Sequence, residues 1–313
     1  MALFTERHGM RKPIERTSII TVDMYSLLFD CCKKYFDNLA WLFPAQCTDG
    51  LGCYGIDFEK FNISLKFDIP NLYRNIQYGI IDKPPIDQYG SKVIEYDQYA
   101  LLDFIEYIAK NCKDYSYNEK DFHPYFQHYH FSLLKTHNIF NTFYTEINNI
   151  FEKTGLLFTL TKDKIIERVV ENSVVTSEVI TAVKDVKEQG TKELLEEAIS
   201  FFKQPNPESR KLAVEKIWDA LERLKTNYTD VDKKASIKRI INKMSNRQSE
   251  FEQLFEVEFN TLTKIGNDFR IRHHETDKIN ITDSQHYDYF FNRCLSLISL
   301  AIQYLQDEGH SHA

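Results

Sequence analysis

QSEFEQLFEVEFNTLTKIGN (residues 248–267), DFRIRHHETDK (268–278) and SQHYDYFFNRCLSLISLAIQYLQ (284–306) decide how the fold is read. In the first, Phe251, Leu254, Phe255, Phe259, Leu262 and Ile265 recur at three- and four-residue steps, the pattern of a helix with one buried face. In the last, Phe290, Phe291, Cys294, Leu297, Ile298, Ala301 and Leu305 repeat the pattern behind an N-cap candidate at Asp283. Two long amphipathic helices therefore bracket a short polar connection.

Upstream, the chain from Ser173 onward reads as consecutive helices, at about Thr176–Lys187 and Thr191–Phe202 and then from Asn206. Asn206-Pro207-Glu208 is a helix start in which Asn accepts from free amides, Pro fits the first turn and Glu favours the positive dipole end. The helix that follows presents Ala213, Ile217, Ala220, Leu221 and Leu224 on one face, with Trp218 beside them. Residues 206–247 hold eleven Lys and Arg against six Asp and Glu, a local excess of five positive charges. That stretch is a candidate phosphate-facing patch, or a solvated helix surface.

The first half has a different texture, rich in Tyr and Phe, with turns at Thr48-Asp49-Gly50, Lys83-Pro84-Pro85 and Tyr89-Gly90. Helices are expected at about Thr21–Leu42, Tyr96–Asn111 and Asn138–Lys153. Leu156–Leu160 and Lys164–Val170 flank Thr161-Lys162-Asp163 as a small β-hairpin. The fold class is thus mainly α, an α-rich first domain (1–170) carrying a small hairpin and a helical second domain (171–313).

Composition sets the outer limits. The 313 residues are 42% hydrophobic and 27% charged with 10 Gly and 8 Pro, which excludes disorder, collagen-like repeats and a loop-rich disulfide scaffold. Two domains match this length, because single cores stop growing at roughly 250–300 residues. A net charge of -7 argues against coating nucleic acid by bulk positive charge, so such contacts have to be local. The six cysteines show no Cys-x-x-Cys pair and no matching His spacing, which points to buried reduced thiols, with no metal and no cofactor expected. The run FHPYFQHYHF (122–131) would place His128 and His130 on one face if extended, a weak metal or base-stacking signal beside the plainer reading of aromatic core with surface His. Phosphate-binding glycine loops, nucleophile elbows and His-Glu-x-x-His are absent. The N-terminal residues lack the apolar stretch of a signal peptide and residues 295–305 are too short to span a bilayer, so a cytoplasmic chain without membrane contact is expected.

The polar connection carries the chemistry. Histidine titrates near neutral pH and can take a proton from a ribose 2'-hydroxyl or give one to a leaving 5'-oxygen. Arginine offers a cationic fork to the non-bridging phosphate oxygens, and an adjacent acid can orient an imidazole. The plainer reading is that Arg and His here neutralise the negative end of a helix dipole.

WDALERLKT (218–226), LTKIGNDFRIRHHETDK (262–278) and the closing helix from Tyr287 resemble the HEPN superfamily, helical bundles whose catalytic members are metal-independent RNases of antiphage systems. FTERHGMRKP (4–13) resembles the start of an AbiJ-type N-terminal domain, a partner of HEPN domains in abortive-infection proteins; Arg7 and His8 read as landmarks of that resemblance. Catalytic HEPN members place several residues between the Arg and the catalytic His. Here Arg272 is followed at once by His273, and Arg270 reaches His274 across three residues. The resemblance assigns the Arg role to Arg272, with Arg270 in reserve, and the acid/base role to His273, with His274 in reserve; Asn267 and Glu275 support them. It implies an antiphage abortive-infection protein with a sensor or regulatory first domain. Its second domain would be a metal-independent endoribonuclease leaving 2',3'-cyclic phosphate ends, with RNA, tRNA included, as substrate. It also implies a homodimer through the HEPN domain and a phage-derived trigger or partner protein. The alternative is a catalytically degenerate HEPN module that binds, regulates or scaffolds.

Overall fold

Short polar side chains set where the helices of this chain begin. Thr21, Asp57 and Asp97 accept from Met24, Lys60 and Tyr99 backbone N–H groups and so start α2 (Val22–Lys33), α3 (Phe58–Asp68) and α4 (Gln98–Asn111). The computed structural model describes residues 4–8, 10, 14–50, 52–85, 95–117, 122–170, 173–271 and 278–306, beginning with the one-turn α1 (Phe4–Arg7). The chain divides into two units, Met1–Glu167 and Arg168–Ala313.

In the first unit, α2, α3, α4 and α5 (Ile139–Thr154) enclose a core in which Phe29, Phe36, Phe61 and Phe104 meet ring to ring, Phe36 and Phe61 edge-on at 5.2 Å. The helix expected over Thr21–Leu42 ends sooner, at Lys33, and resumes as a 3-10 turn over Asp37–Leu39. Asn38 gives its carbonyl to Lys113 N–H at 2.9 Å and its side-chain amide to Lys113 O at 2.8 Å, so it cannot also serve a continuous helix. Gly155, at φ +74°, stops α5 in the left-handed conformation.

The strands are all short antiparallel pairs: β1 (Pro44–Gln46) with β2 (Cys53–Ile56), β3 (Tyr115–Ser116) with β6 (Ser132–Leu133), β4 (Phe122–His123) with β5 (His128–Tyr129), and β7 (Phe158–Leu160) with β8 (Ile166–Arg168). The last pair is the hairpin expected from the sequence. Two-stranded pairs this short are marginal by themselves, so the other three depend on what surrounds them.

The second unit is helical: α6 (Ser177–Lys184), α7 (Gln189–Lys203), α8 (Pro207–Leu224), α9 (Lys233–Met244), α10 (Ser249–Asp268) and α11 (Ser284–Gln306). Asn206 caps α8 as its sequence indicates, accepting from Glu208 N–H at 2.9 Å with Pro207 in the first turn. Arg168, its side chain 2% exposed, grips Asp288 of α11 with two bonds of 2.7 and 2.8 Å and donates to Phe202 O at 3.0 Å. No described helix is long and apolar enough to cross a membrane.

One expectation fails on α10. Only Phe259, Leu262 and Gly266 are buried there, while Phe251 and Leu254 are 47% and 56% exposed. Phe251 lies in line with the buried stripe but beyond the reach of the core. Leu254 and Val257 sit roughly 110° and 170° round the helix from that stripe at 100° per residue. The spacing of the apolar residues was helical, but it described a stripe wider than the face that is covered.

Two outcomes test this packing. A Cβ at Gly266 would strike the Trp218 indole, which is buried and cannot swing away. Gly266→Ala should therefore destabilise by about 1–3 kcal/mol, against the roughly 1 kcal/mol that Ala adds in a helix interior, read as a lowered urea midpoint with an unchanged slope. Glu188 caps α7 and pairs with Arg223, whose guanidinium holds the carboxyl down to about 2. Because the folded value is depressed, the contribution is complete above the ordinary carboxylate range and fades as pH falls from about 4.5 toward 2. Both partners are substantially exposed, so Glu188→Gln should cost no more than about 1 kcal/mol. The difference between wild type and this variant in thermal midpoint should be largest at neutral pH and shrink steadily below pH 4.5.

Candidate functional site

α10 ends at Asp268, and the chain is held on both sides of the polar connection that follows. Phe269 N–H closes the helix on Ile265 O at 3.0 Å. Arg270 N–H then donates to Ile279 O and Ile279 N–H to Asp268 O, both at 2.9 Å, pairing the outgoing and returning segments in parallel. Ile271 and Ile281 are buried, one on each arm, and Phe269 meets Phe290 edge-on at 5.3 Å. The segments entering and leaving residues 272–277 thus meet in a closed neck. Arg272, His273, His274 and Glu275 lie outside the described residues. Asn267, exposed on the last helical turn, and Arg270, half-buried at the neck, are brought to the same end of α10.

Packing beneath the neck explains its position. Trp218 of α8 is buried, donates its indole N–H to Leu262 O at 3.0 Å and meets Phe290 of α11 edge-on at 6.2 Å. Gly266 leaves the space that the ring occupies. No basic residue stands in the last turn of α10.

The basic stretch of residues 206–247 is less cationic in space than in sequence. Lys216 pairs with Glu197, Arg223 with Glu188, Lys233 with Glu222, Arg239 with Asp230, and Arg210 approaches Asp288 at 4.0 Å. Lys225 is turned inward, its side chain 1% exposed, and bonds Glu222 at 2.6 Å and Thr263. Burial lowers its pKa and Glu222 opposes that shift. A groove of about 570 Å³ between α9 and α10 is lined by Lys234 and Lys238 but also by Asp232, Glu252 and Glu256. Mixed signs make it a poor cradle for phosphate.

A second cluster, in the first unit, was only weakly signalled by the sequence, through His128 and His130. Cys47, Asp49, His123, His128 and His130 converge from the turn after β1 and from the β4–β5 hairpin. The Cys47 thiol with ring nitrogens of His128 and His130 forms one group of donor atoms mutually within 4.8 Å; the same thiol with Asp49 and His123 forms another. Asp49 Oδ2 stands 3.0 Å from His123 Nε2 and 3.6 Å from His130 Nε2. The expectation of surface histidines beside an aromatic core is corrected here: His128 Nε2 and His130 Nε2 are buried and have no hydrogen-bond partner. Alternation of His128 and His130 was the one available signal. Cys47 lies about 80 residues away in sequence, and only the bridge between Cys53 and Phe131, with Phe131 N–H on Cys53 O at 2.6 Å, brings the segments together.

Among known proteins, no curated protein and no solved structure matches the chain. A family model does: residues 2–185 match AbiJ N-terminal domain 4, a span that takes in the whole first unit and runs on through α6. Since that match covers more than half of the 313 residues, the chain belongs to the AbiJ N-terminal domain 4 family.

Proposed function

We propose that this chain is an abortive-infection protein of the AbiJ type whose helical second unit is a HEPN-like, metal-independent endoribonuclease. The observation that supports the reading is the closed neck at the end of α10, where Asp268 and Arg270 pair with Ile279; in the sequence Arg272, His273, His274 and Glu275 stand between these two arms, a few residues from Asn267 and Arg270. In this mechanism His273, with His274 in reserve, takes the proton of a ribose 2'-hydroxyl as the 2'-oxygen attacks phosphorus. The bond to the 5'-oxygen breaks, that oxygen leaves with a proton, and a 2',3'-cyclic phosphate remains. Arg272, or Arg270 in reserve, balances charge on the non-bridging oxygens; Glu275 orients the imidazole and Asn267 supports the loop.

A second copy fits this reading. Phe251, Leu254 and Val257 leave an apolar strip along α10 that is 47%, 56% and 62% exposed. Pairing through this helix would bring two copies of the Arg/His segment near one phosphate and give local cationic density to a chain of net charge -7. The first unit, in this account, senses a phage-derived trigger or partner protein and restrains the second.

Cleavage of tRNA and total RNA in EDTA should leave ends that accept a 3' adaptor only after the cyclic phosphate is removed. Arg272→Ala and His273→Ala should each lower the rate at least about 100-fold. RNA left intact by wild type, with overexpression harmless to the host, would instead identify a degenerate HEPN module that binds or scaffolds. Sedimentation at micromolar concentration should give a dimer that Leu254→Glu dissociates; a wild-type monomer overturns the paired arrangement.

A further inference from the structure

Cys47, Asp49, His128 and His130 bring together the donor types of a metal site. Two buried imidazole nitrogens with no hydrogen-bond partner face the same small volume as a buried thiol. Buried nitrogens left this way are costly, and native proteins satisfy them. The rings cannot turn outward easily. His128 stacks on Tyr54 at 4.4 Å, and the Cβ and ring of His130 press so closely on Gly52 that a side chain there would have to displace them.

We propose that this cluster holds one zinc-class divalent ion, coordinated by Cys47, His128, His130 and Asp49, as a structural staple of the first unit. Thiolate and imidazole donors select zinc over magnesium or calcium. Zinc bonds to nitrogen and oxygen are about 2.0–2.2 Å, which puts neighbouring ligand atoms of a tetrahedron roughly 3.3–3.4 Å apart. Asp49 Oδ2 and His130 Nε2, at 3.6 Å, already stand near that separation. His123 acts from outside. Its Nδ1 accepts from Phe126 N–H at 3.3 Å, which leaves the proton on Nε2, 3.0 Å from Asp49 Oδ2. From there His123 would supply the outer hydrogen bond that fixes a ligating carboxylate. One thiolate, one carboxylate and two neutral imidazoles also cancel the charge of a divalent ion, so the filled site carries none into the interior.

The location gives the ion a task. β1–β2, β3–β6 and β4–β5 are too short to stand alone, and the site ties the turn after β1 to the β4–β5 hairpin about 80 residues later. A site closed by four protein ligands leaves no open position for catalysis and contributes to folding.

The full chain, purified without a metal-affinity column, should contain one zinc per chain by elemental analysis. Zinc-free protein titrated with Co(II) should develop a thiolate-to-metal charge-transfer band and the intense visible bands of a tetrahedral site. Cys47→Ser should abolish the charge-transfer band, and His130→Ala should lower bound zinc well below one per chain. His128→Cys, which supplies a second thiolate in the same place, should keep the metal and strengthen that band, separating lost ligation from lost folding. His123→Ala should retain zinc with about 10–100-fold weaker affinity. Wild type that purifies without zinc and gives no charge-transfer band with Co(II) overturns the proposal, as does a Cys47→Ser variant that binds as tightly as wild type. None of these readouts depends on RNA cleavage.

Discussion

The Trp218 indole is the contact on which the second unit turns. It lies between three helices, bonded to Leu262 O of α10, edge-on to Phe290 of α11 and pressed against Gly266, while rooted in α8. A large ring that is wholly buried contributes through area, and its N–H demands a partner. Leu262 supplies one even though α10 is a regular helix whose carbonyls already have bonds. Everything downstream inherits this constraint: the end of α10, the seat of Phe269 against Phe290, and the neck where Arg270 and Ile279 pair. The neck is thus placed by apolar packing rather than by an ion pair.

The first unit solves a different problem. Its helices α2 to α5 bury a continuous aromatic core, but the long excursions between them contain strands of two to four residues with little of their own to hold them. Their support comes from polar groups: Asp114 accepts from the amides of Asn138 and Ile139, Asn62 from Ile81 N–H, and the Cys47–His130 cluster joins the turn after β1 to the β4–β5 hairpin. Polar atoms buried for this purpose must be satisfied, so the cluster is where this part of the fold has least tolerance.

Charge bookkeeping along the sequence misleads here for a physical reason. Residues 206–247 carry five more positive than negative charges, yet Arg210, Lys216 and Arg223 find partners outside the window, in Asp288 of the last helix and in Glu197 and Glu188 at the preceding one. Local excess charge on packed helices is answered across the helix interface, and Lys225 is drawn inside altogether.

What the sequence by itself determined is whatever depends on neighbours a few residues apart. The Asn206-Pro207-Glu208 start, the extent of the closing helix over Ser284–Gln306, the Phe158–Arg168 hairpin and the buried face of α8 are all local, because caps, turns and 3.6-residue periodicity act at that range. The Arg/His density of residues 270–275 was equally plain. Tertiary structure alone decided which apolar residues of α10 are covered, since Phe251 has the right spacing and is left exposed. It alone closed the neck between Arg270 and Ile279, and it alone gathered Cys47 with His128 and His130. Those contacts join residues that no short-range rule relates, and their free energy comes from burying groups the chain brings together only when it is folded.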